Sequence, residues 1–306
     1  MTRYKITIEY DGSGFCGWQR QENGFSIQEA IENAILELTG GACHSTTTSV
    51  KRRSLRGAVG DKAISGARGD IFLYSSKNSG VAASVGLQPN PSRNDSAGRT
   101  PFLYGSGRTD AGVHAYGQVA HFDLEKLHAP ERIVGALNFY LKNHKISILN
   151  CEIVPKEFHA RFSAKSRSYI YKIINRSARL CLDHNRAWHI KVPLDVGAMQ
   201  KAATYLIGKH DFSSFRAQGC AANSPIRSIS AISISRYRDD IQIYVKAPSF
   251  LYHMVRNIVG SLVMVGKGSW PPEYILEILE AKDRSIAGPT APACGLYFLT
   301  AEYSDN

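Results

Sequence analysis

The order of predicted elements in this chain points to an α+β protein made of two successive β-α-β-β-α-β units. Three observations carry that prediction. Residues 3–10 alternate apolar and polar side chains with the period of a strand. Residues 26–38 carry apolar side chains at helical spacing behind a clear helix-start signal. The same order of strand, helix, two strands, helix and strand then recurs between residues 168 and 303.

Tyr4, Ile6, Ile8 and Tyr10 alternate with Lys5, Thr7 and Glu9, which predicts a half-buried strand ending at Asp11-Gly12-Ser13-Gly14. Ser26 is placed to cap the following helix, and Glu29 three residues on completes a capping box. Ile27, Ala30, Ile31, Ala34, Ile35 and Leu38 form the helix's apolar face, and Gly40 stands where a helix C-cap is expected. Residues 101–104 and 115–123 read as strands on either side of a glycine-rich loop. Pro130 opens a helix carrying Ile133, Val134, Leu137, Tyr140 and Leu141, and Ile146 to Val154 reads as the next strand.

Between the first helix and that loop the pattern breaks. Residues 41–99 hold ten Ser and eight Gly, with nine Lys and Arg against three Asp, a net +6. Composition of this kind predicts a disordered basic insert over about 42–99.

The second half runs through a strand at 168–174 and a helix from Asp195 to about Gly208. Strands at 227–236 and 241–247 follow, joined at Arg238-Asp239-Asp240. A helix over 250–265, a short helix begun by Pro271-Pro272 and a last strand at Leu296–Tyr303 complete it. Each half is thus ferredoxin-like, the first spanning 1–155 and the second 156–306. The predicted body is a central antiparallel sheet with helices on one face and a groove between the halves. No linker separates them, and fold alone does not fix function.

A formal charge of +11 and a pI near 9.4 favour a polyanionic partner. Met1-Thr2-Arg3 runs straight into the first strand, so no targeting segment is predicted. The most apolar stretch, Phe250 to Val265, carries His253, Arg256 and Asn257 and makes a poor membrane span. Six cysteines without a CxxC pair suit a reduced cytoplasm and argue against a disulfide framework or a zinc knuckle.

Residues 105–122 read GSGRTDAGVHAYGQVAHF. Three glycines precede or surround the polar set Arg108, Thr109, Asp110 and His114, a pattern for a tight loop that presents one carboxylate. Taken alone, the same residues also fit a hairpin with a solvated Asp at its tip. A phosphate-binding P-loop is excluded, because the Gly-Lys-Ser/Thr ending is absent. Asp110, His114 and His121 lack the spacing of a metal site, and a paired-carboxylate hydrolase would have only Asp123 as a local second acid.

The run Gly107 to Ala115, followed by Gly117-Gln118-Val119 and His121-Phe122, resembles the signature loop of the bacterial tRNA pseudouridine synthase A family. The resemblance extends over residues 3–40 and 100–303. It includes Tyr10-Asp11-Gly12, Gly17-Trp18-Gln19-Arg20-Gln21, Phe158 to Ala164, and His253-Met254-Val255-Arg256-Asn257-Ile258-Val259-Gly260. It implies two fused ferredoxin-like halves, a homodimer, and isomerisation of uridine in the anticodon stem-loop of tRNA without a cofactor. It assigns Asp110 as the catalytic residue and Arg256 as the cation that keeps its carboxylate charged. Tyr169, in Arg167-Ser168-Tyr169-Ile170-Tyr171, would stack on the target base. Leu296, in Gly295-Leu296-Tyr297, would line the pocket, and Arg108 would contact tRNA. Alternating tyrosines on a strand are more often core, so Tyr169 rests on the resemblance and not on spacing. A catalytically idle tRNA-binding factor on the same scaffold is the alternative reading; intact Asp110, Tyr169 and Arg256 favour the enzyme.

Overall fold

The computed structural model describes residues 1–41 and 102–304. The predicted insert at 42–99 lies outside the described residues. The first half comprises β1 (Thr2–Tyr10), α1 (Ile27–Leu38), β2 (Tyr104–Gly105), β3 (His114–Leu124), α2 (Pro130–Leu141) and β4 (Ile146–Val154). The second comprises β5 (Ser166–Asn175), β6 (Trp188–Ile190), α3 (Val196–Thr204), β7 (Gly208–Asp211), β8 (Ile226–Ile229), β9 (Ala231–Tyr237), β10 (Asp240–Ala247), α4 (Met254–Gly266), α5 (Tyr274–Ala281) and β11 (Leu296–Glu302).

One sheet joins the halves edge to edge in the order β4-β1-β3-β11-β5-β10-β9, with β2 beside β3 and β6 beside β5. Within each half the order is that of a ferredoxin-like unit: β4-β1-β3-β2, and β11-β5-β10-β9. The sheet is mostly antiparallel. Its parallel joints are β3 with β11, where Tyr297 faces His114 and Phe298 faces Ala115, and β5 with β6. The seam between the halves therefore lies at the start of β3, immediately after the Asp110 loop.

Alternation decides which face packs. Tyr4, Ile6, Ile8 and Tyr10 of β1 are buried, as are Ile241, Ile243, Val245 and Ala247 of β10, in one core with the apolar faces of α1, α2 and α4. The N-caps form as predicted, but the capping box does not: among the described residues Glu29 makes no return bond to Ser26 N, and its carboxylate stands 3.7 Å from Arg20 Nη2. Ser26 Oγ accepts from Glu29 N at 3.1 Å, and Asp195 accepts from Ala198 N at 2.9 Å. Gly40 takes a φ of +78°, with Gly40 N bonded to Glu37 O at 3.2 Å and Gly41 N to Leu36 O at 3.0 Å. Together these form the two-bond left-handed helix stop.

Four boundaries differ from the sequence expectation. Among the described residues the strand expected at 101–104 is only Tyr104–Gly105, because α1 occupies the backbone of Leu103. Its N–H donates to Glu32 Oε1 at 3.2 Å, and its carbonyl accepts from Gln28 Nε2 at 3.2 Å. The strand expected at 227–236 splits at Ser230, whose N–H and hydroxyl both turn to Lys246 O, freeing β8 to pair with β7 in a small second sheet. The helix expected from 250 starts at Met254, since His253 has a left-handed backbone, and α3 stops at Thr204. The short strands β6 and β7 were not predicted, being too short to show a period.

Candidate active site

The loop that carries Asp110 is held from both sides. Upstream, Ser106 N bonds Val119 O at 2.7 Å, and Ser106 Oγ donates to Gln118 Oε1 at 2.6 Å. Gln118 Nε2 returns a bond to Gly107 O at 2.9 Å, and the Arg167 guanidinium donates twice to Ser106 O, at 3.0 and 2.9 Å. At its centre, Trp18 N donates to Thr109 O at 3.0 Å, and Tyr10 Oη lies 2.8 Å from Thr109 Oγ1. Two glycines allow the first-half loop to lie this close. A Cβ on Gly17 would stand 2.7 Å from Thr109 O, and one on Gly12 would stand 2.0 Å from Val113 O. The turn closes with Val113 N on Asp110 O at 3.1 Å.

A shift of register between Ile8 and Tyr10 follows at once: Ile8 faces Gln118 while Tyr10 faces Ala115. The extra residue lies on β3 and re-aims its side chains, as bulges next to functional loops do. Gln118 is fully buried and braces the loop, while Tyr116 and His114 stack on Tyr297 at 5.0 and 4.7 Å.

The second half brings α4 to this loop. Arg256 Nη1 lies 3.0 Å from Asp110 Oδ2, and His253 Nε2 lies 3.2 Å from the same oxygen. Arg256 Nε is committed to Ala291 O at 2.7 Å. The Asp110 side chain is 23% exposed and that of Arg256 15%, so the pair is partly withdrawn from water and weakly screened. The carboxylate faces the first turn of a 13-residue helix, where the helix dipole also favours an anion.

Tyr169 is buried, with its ring edge-on to Phe250 and Phe298, each 5.1 Å away between centroids. Burial, and then the nearness of Tyr10 and Asp110, holds its phenol well above the usual range, so it stays neutral. Among the described residues its hydroxyl has no hydrogen-bond partner. Tyr171 differs: it is fully buried and donates to Pro292 O at 2.7 Å, which makes it core. Leu296 pairs with Tyr171 across the β11–β5 ladder and shares a sheet face with Tyr169. Arg108 is exposed beside Arg161.

The other candidates do not converge on Asp110. Asp123 is paired with Arg3 Nε at 2.8 Å. His114 is buried with its Nδ1 3.2 Å both from Gly12 N and from Asp11 Oδ1. Burial favours the neutral ring, so Nδ1 accepts from Gly12 and Nε2–H donates to Asn185 O at 3.0 Å. His121 Nδ1 accepts from Ala160 N at 3.1 Å. Among the described residues no group of three or more His, Cys, Asp or Glu is placed to hold a metal ion. An open cavity of about 640 Å³ lined by Arg216, Cys220 and Arg284 contains none of Asp110, Arg256 and Tyr169, and the chemistry is better placed at the carboxylate. His253 opens the motif His253 to Gly260, whose sequence assigns it no role. The signal for one is spatial, since only folding puts it on Asp110.

A carboxylate paired with a helix arginine, with Tyr169, Phe250 and Phe298 packed together on the neighbouring half, is an arrangement suited to chemistry by a single carboxylate. A family model described as tRNA pseudouridine synthase matches residues 6–163 and 202–304. The chain is 45% identical over 302 residues to tRNA pseudouridine synthase A of Ehrlichia canis (strain Jake), covering 98% of this chain and 100% of that protein. It is 40% identical over 303 residues to tRNA pseudouridine synthase A of Rhodospirillum rubrum, covering 99% of this chain and 88% of that protein. A chain of a solved Cbf5-Nop10-Gar1 complex aligns with 54% of this chain and 36% of its own at 10% identity, with a TM-score of 0.26, too weak a likeness to build on. This chain belongs to the tRNA pseudouridine synthase family.

Proposed function

We propose that this enzyme isomerises uridine to pseudouridine in the anticodon stem-loop of tRNA, with Asp110 as the nucleophile. The reaction breaks the C1′–N1 bond, turns the uracil and joins C1′ to C5; the hydrogen leaves C5 and N1 gains one. Atoms and electrons balance without redox chemistry or net hydrolysis. The chemistry asks for one ionised carboxylate, to add covalently or to stabilise a positive sugar carbon. The observation that carries the assignment is the Asp110–Arg256 contact at 3.0 Å, partly withdrawn from water.

In this reading Arg256 keeps the carboxylate charged, and Tyr169 offers an apolar aromatic face to a base turned out of its stack. Leu296 lines the pocket next to it, and the exposed Arg108 contacts the tRNA. The halves divide near residue 155, the first carrying the nucleophile and the second the arginine and the tyrosine. We infer a homodimer from the family resemblance. The substrate and the five free cysteines among the described residues support a cytoplasmic setting. Among those residues no helix is long and apolar enough to cross a membrane.

The test is incubation of the pure protein with an unmodified tRNA transcript, followed by mapping of pseudouridine. Modification within the anticodon stem-loop is expected. Modification elsewhere in the tRNA would overturn the assigned region, and binding without modification would favour an idle tRNA-binding factor. Light scattering in solution tests the dimer.

A further inference from the structure

The catalytic carboxylate is held by one of its two oxygens. Arg256 Nη1 and His253 Nε2 both contact Asp110 Oδ2, at 3.0 and 3.2 Å. Among the described residues no hydrogen bond or ion pair is made to Oδ1. We propose that His253 is a positioning residue that fixes the rotation of the Asp110 carboxylate and so presents Oδ1 as the attacking oxygen. This rests on Asp110 being the nucleophile.

Arginine alone does not set that rotation. Its usual grip on a carboxylate is a two-pronged fork, which fixes both oxygens. Here the Nε prong is spent on Ala291 O, so Arg256 reaches Asp110 through Nη1 alone. The terminal torsion of Asp is broad and roughly two-fold, so a one-point contact leaves the carboxylate free to turn about it. His253 Nε2 stands 3.2 Å from the same oxygen without the alignment of a formed hydrogen bond, and a donor on a rigid ring so placed removes that freedom once it tightens onto Oδ2 with substrate bound. A carboxylate oxygen has no proton to offer near neutrality, so Nε2 must carry the hydrogen. Burial first, with the nearby Arg256 and Arg284 cations adding to it and Asp110 opposing it, holds the His253 pKa below its usual value, so the ring is neutral and its Nε2 tautomer has a hydrogen to offer.

The backbone points the same way. His253 has φ 59° and ψ 6°, a left-handed conformation that favours glycine. It is the third residue of a turn closed by Met254 N on Leu251 O at 3.1 Å. A side chain kept where glycine would be less strained asks for a reason, and such outliers cluster at active sites. The ring is also fixed in place. It packs on Tyr252 with centroids 3.9 Å apart, and its own carbonyl receives the first bond of α4, from Asn257 N at 2.9 Å. Asn257 is fully buried and donates to Phe215 O, which ties that turn to the core.

Two substitutions separate positioning from folding. His253→Gly removes the donor and relieves the left-handed backbone, so thermal unfolding should be unchanged or raised. Its kcat on a tRNA transcript should fall roughly 10- to 150-fold, the factor that a hydrogen bond to a charged group is worth, with KM little changed. His253→Gln keeps a neutral N–H donor at similar reach and should retain kcat within about threefold. Asp110→Asn is run beside them. A His253→Gly protein with wild-type kcat, or a Gln variant as slow as the Gly variant, would overturn the positioning role. If Asp110→Asn is inactive in that same experiment, the nucleophile assignment survives. If Asp110→Asn turns over normally, both readings fall together.

Discussion

Arg256 Nη1 meets Asp110 Oδ2 at 3.0 Å across 146 positions of sequence, joining the loop of one ferredoxin-like half to the helix of the other. Carboxylate and cation come from different halves, so the site exists only when the halves are packed together.

Asp110→Asn keeps the size of the side chain and removes its charge. No pseudouridine should form on an unmodified transcript, while tRNA affinity changes little because phosphate contacts dominate it. Filter binding alongside product mapping checks both. Normal turnover would end the assignment of Asp110.

Arg256→Met removes the bonds to both Asp110 and Ala291 O. A kcat loss of roughly 10- to 150-fold or more is expected, from losing a hydrogen bond to a charged group in a partly dry site. Arg256→Lys should recover only part of it, since an ammonium does not reproduce the two-directional planar geometry. Equal activity in Lys and wild-type proteins would show that charge alone suffices.

Tyr169→Phe keeps the aromatic face between Phe250 and Phe298, and Tyr169→Leu does not. The Phe variant should be the more active, because the raised pKa of the phenol makes it a poor proton carrier. Equal inactivity of the two variants, measured by single-turnover kinetics, would move the role to the hydroxyl.

Gly12→Ala places a Cβ that would stand 2.0 Å from Val113 O, against backbone that cannot yield cheaply. The expected cost is about 1–3 kcal/mol of stability, typical of overpacking, with a kcat loss as the Asp110 turn shifts. Chemical denaturation and steady-state kinetics test the two effects. A variant with wild-type stability and rate would show that the contact is loose.

His121 is buried, and burial first, then His159 and Arg3, hold its pKa down at about 4. The unfolded chain titrates near 6.5, so it takes up the proton first as pH falls. Stability from this group is whole above pH 6.5 and is lost as pH drops towards 4, by up to about 3 kcal/mol. His121→Gln leaves an amide oxygen for Ala160 N and should flatten part of that acid slope. Melting curves from pH 7 to pH 4 are the measurement, and an unchanged slope would contradict the shift. His114, His159 and His253 are also lowered, so the slope is not abolished.

Much of this protein was fixed locally and is legible in the chain. The strand Tyr4–Tyr10, the cap at Ser26, the stop at Gly40 and the β-α-β-β-α-β order depend on period and on residues within one turn of each other. Asp110 and Arg256 were legible as members of long motifs. What tertiary structure alone decided are relations between distant segments. Leu103 lost its strand because α1 took its backbone groups, and β8 left β9 to pair with β7. Tyr169 and Tyr171, identical in their alternation, part company only because Pro292 O reaches one hydroxyl and leaves the other free among the described residues. His253 acquires a partner only when α4 lies against the Asp110 loop. Backbone preference acts over a few residues and leaves its mark in the sequence, whereas a hydrogen bond between side chains more than a hundred residues apart is written only in the packing.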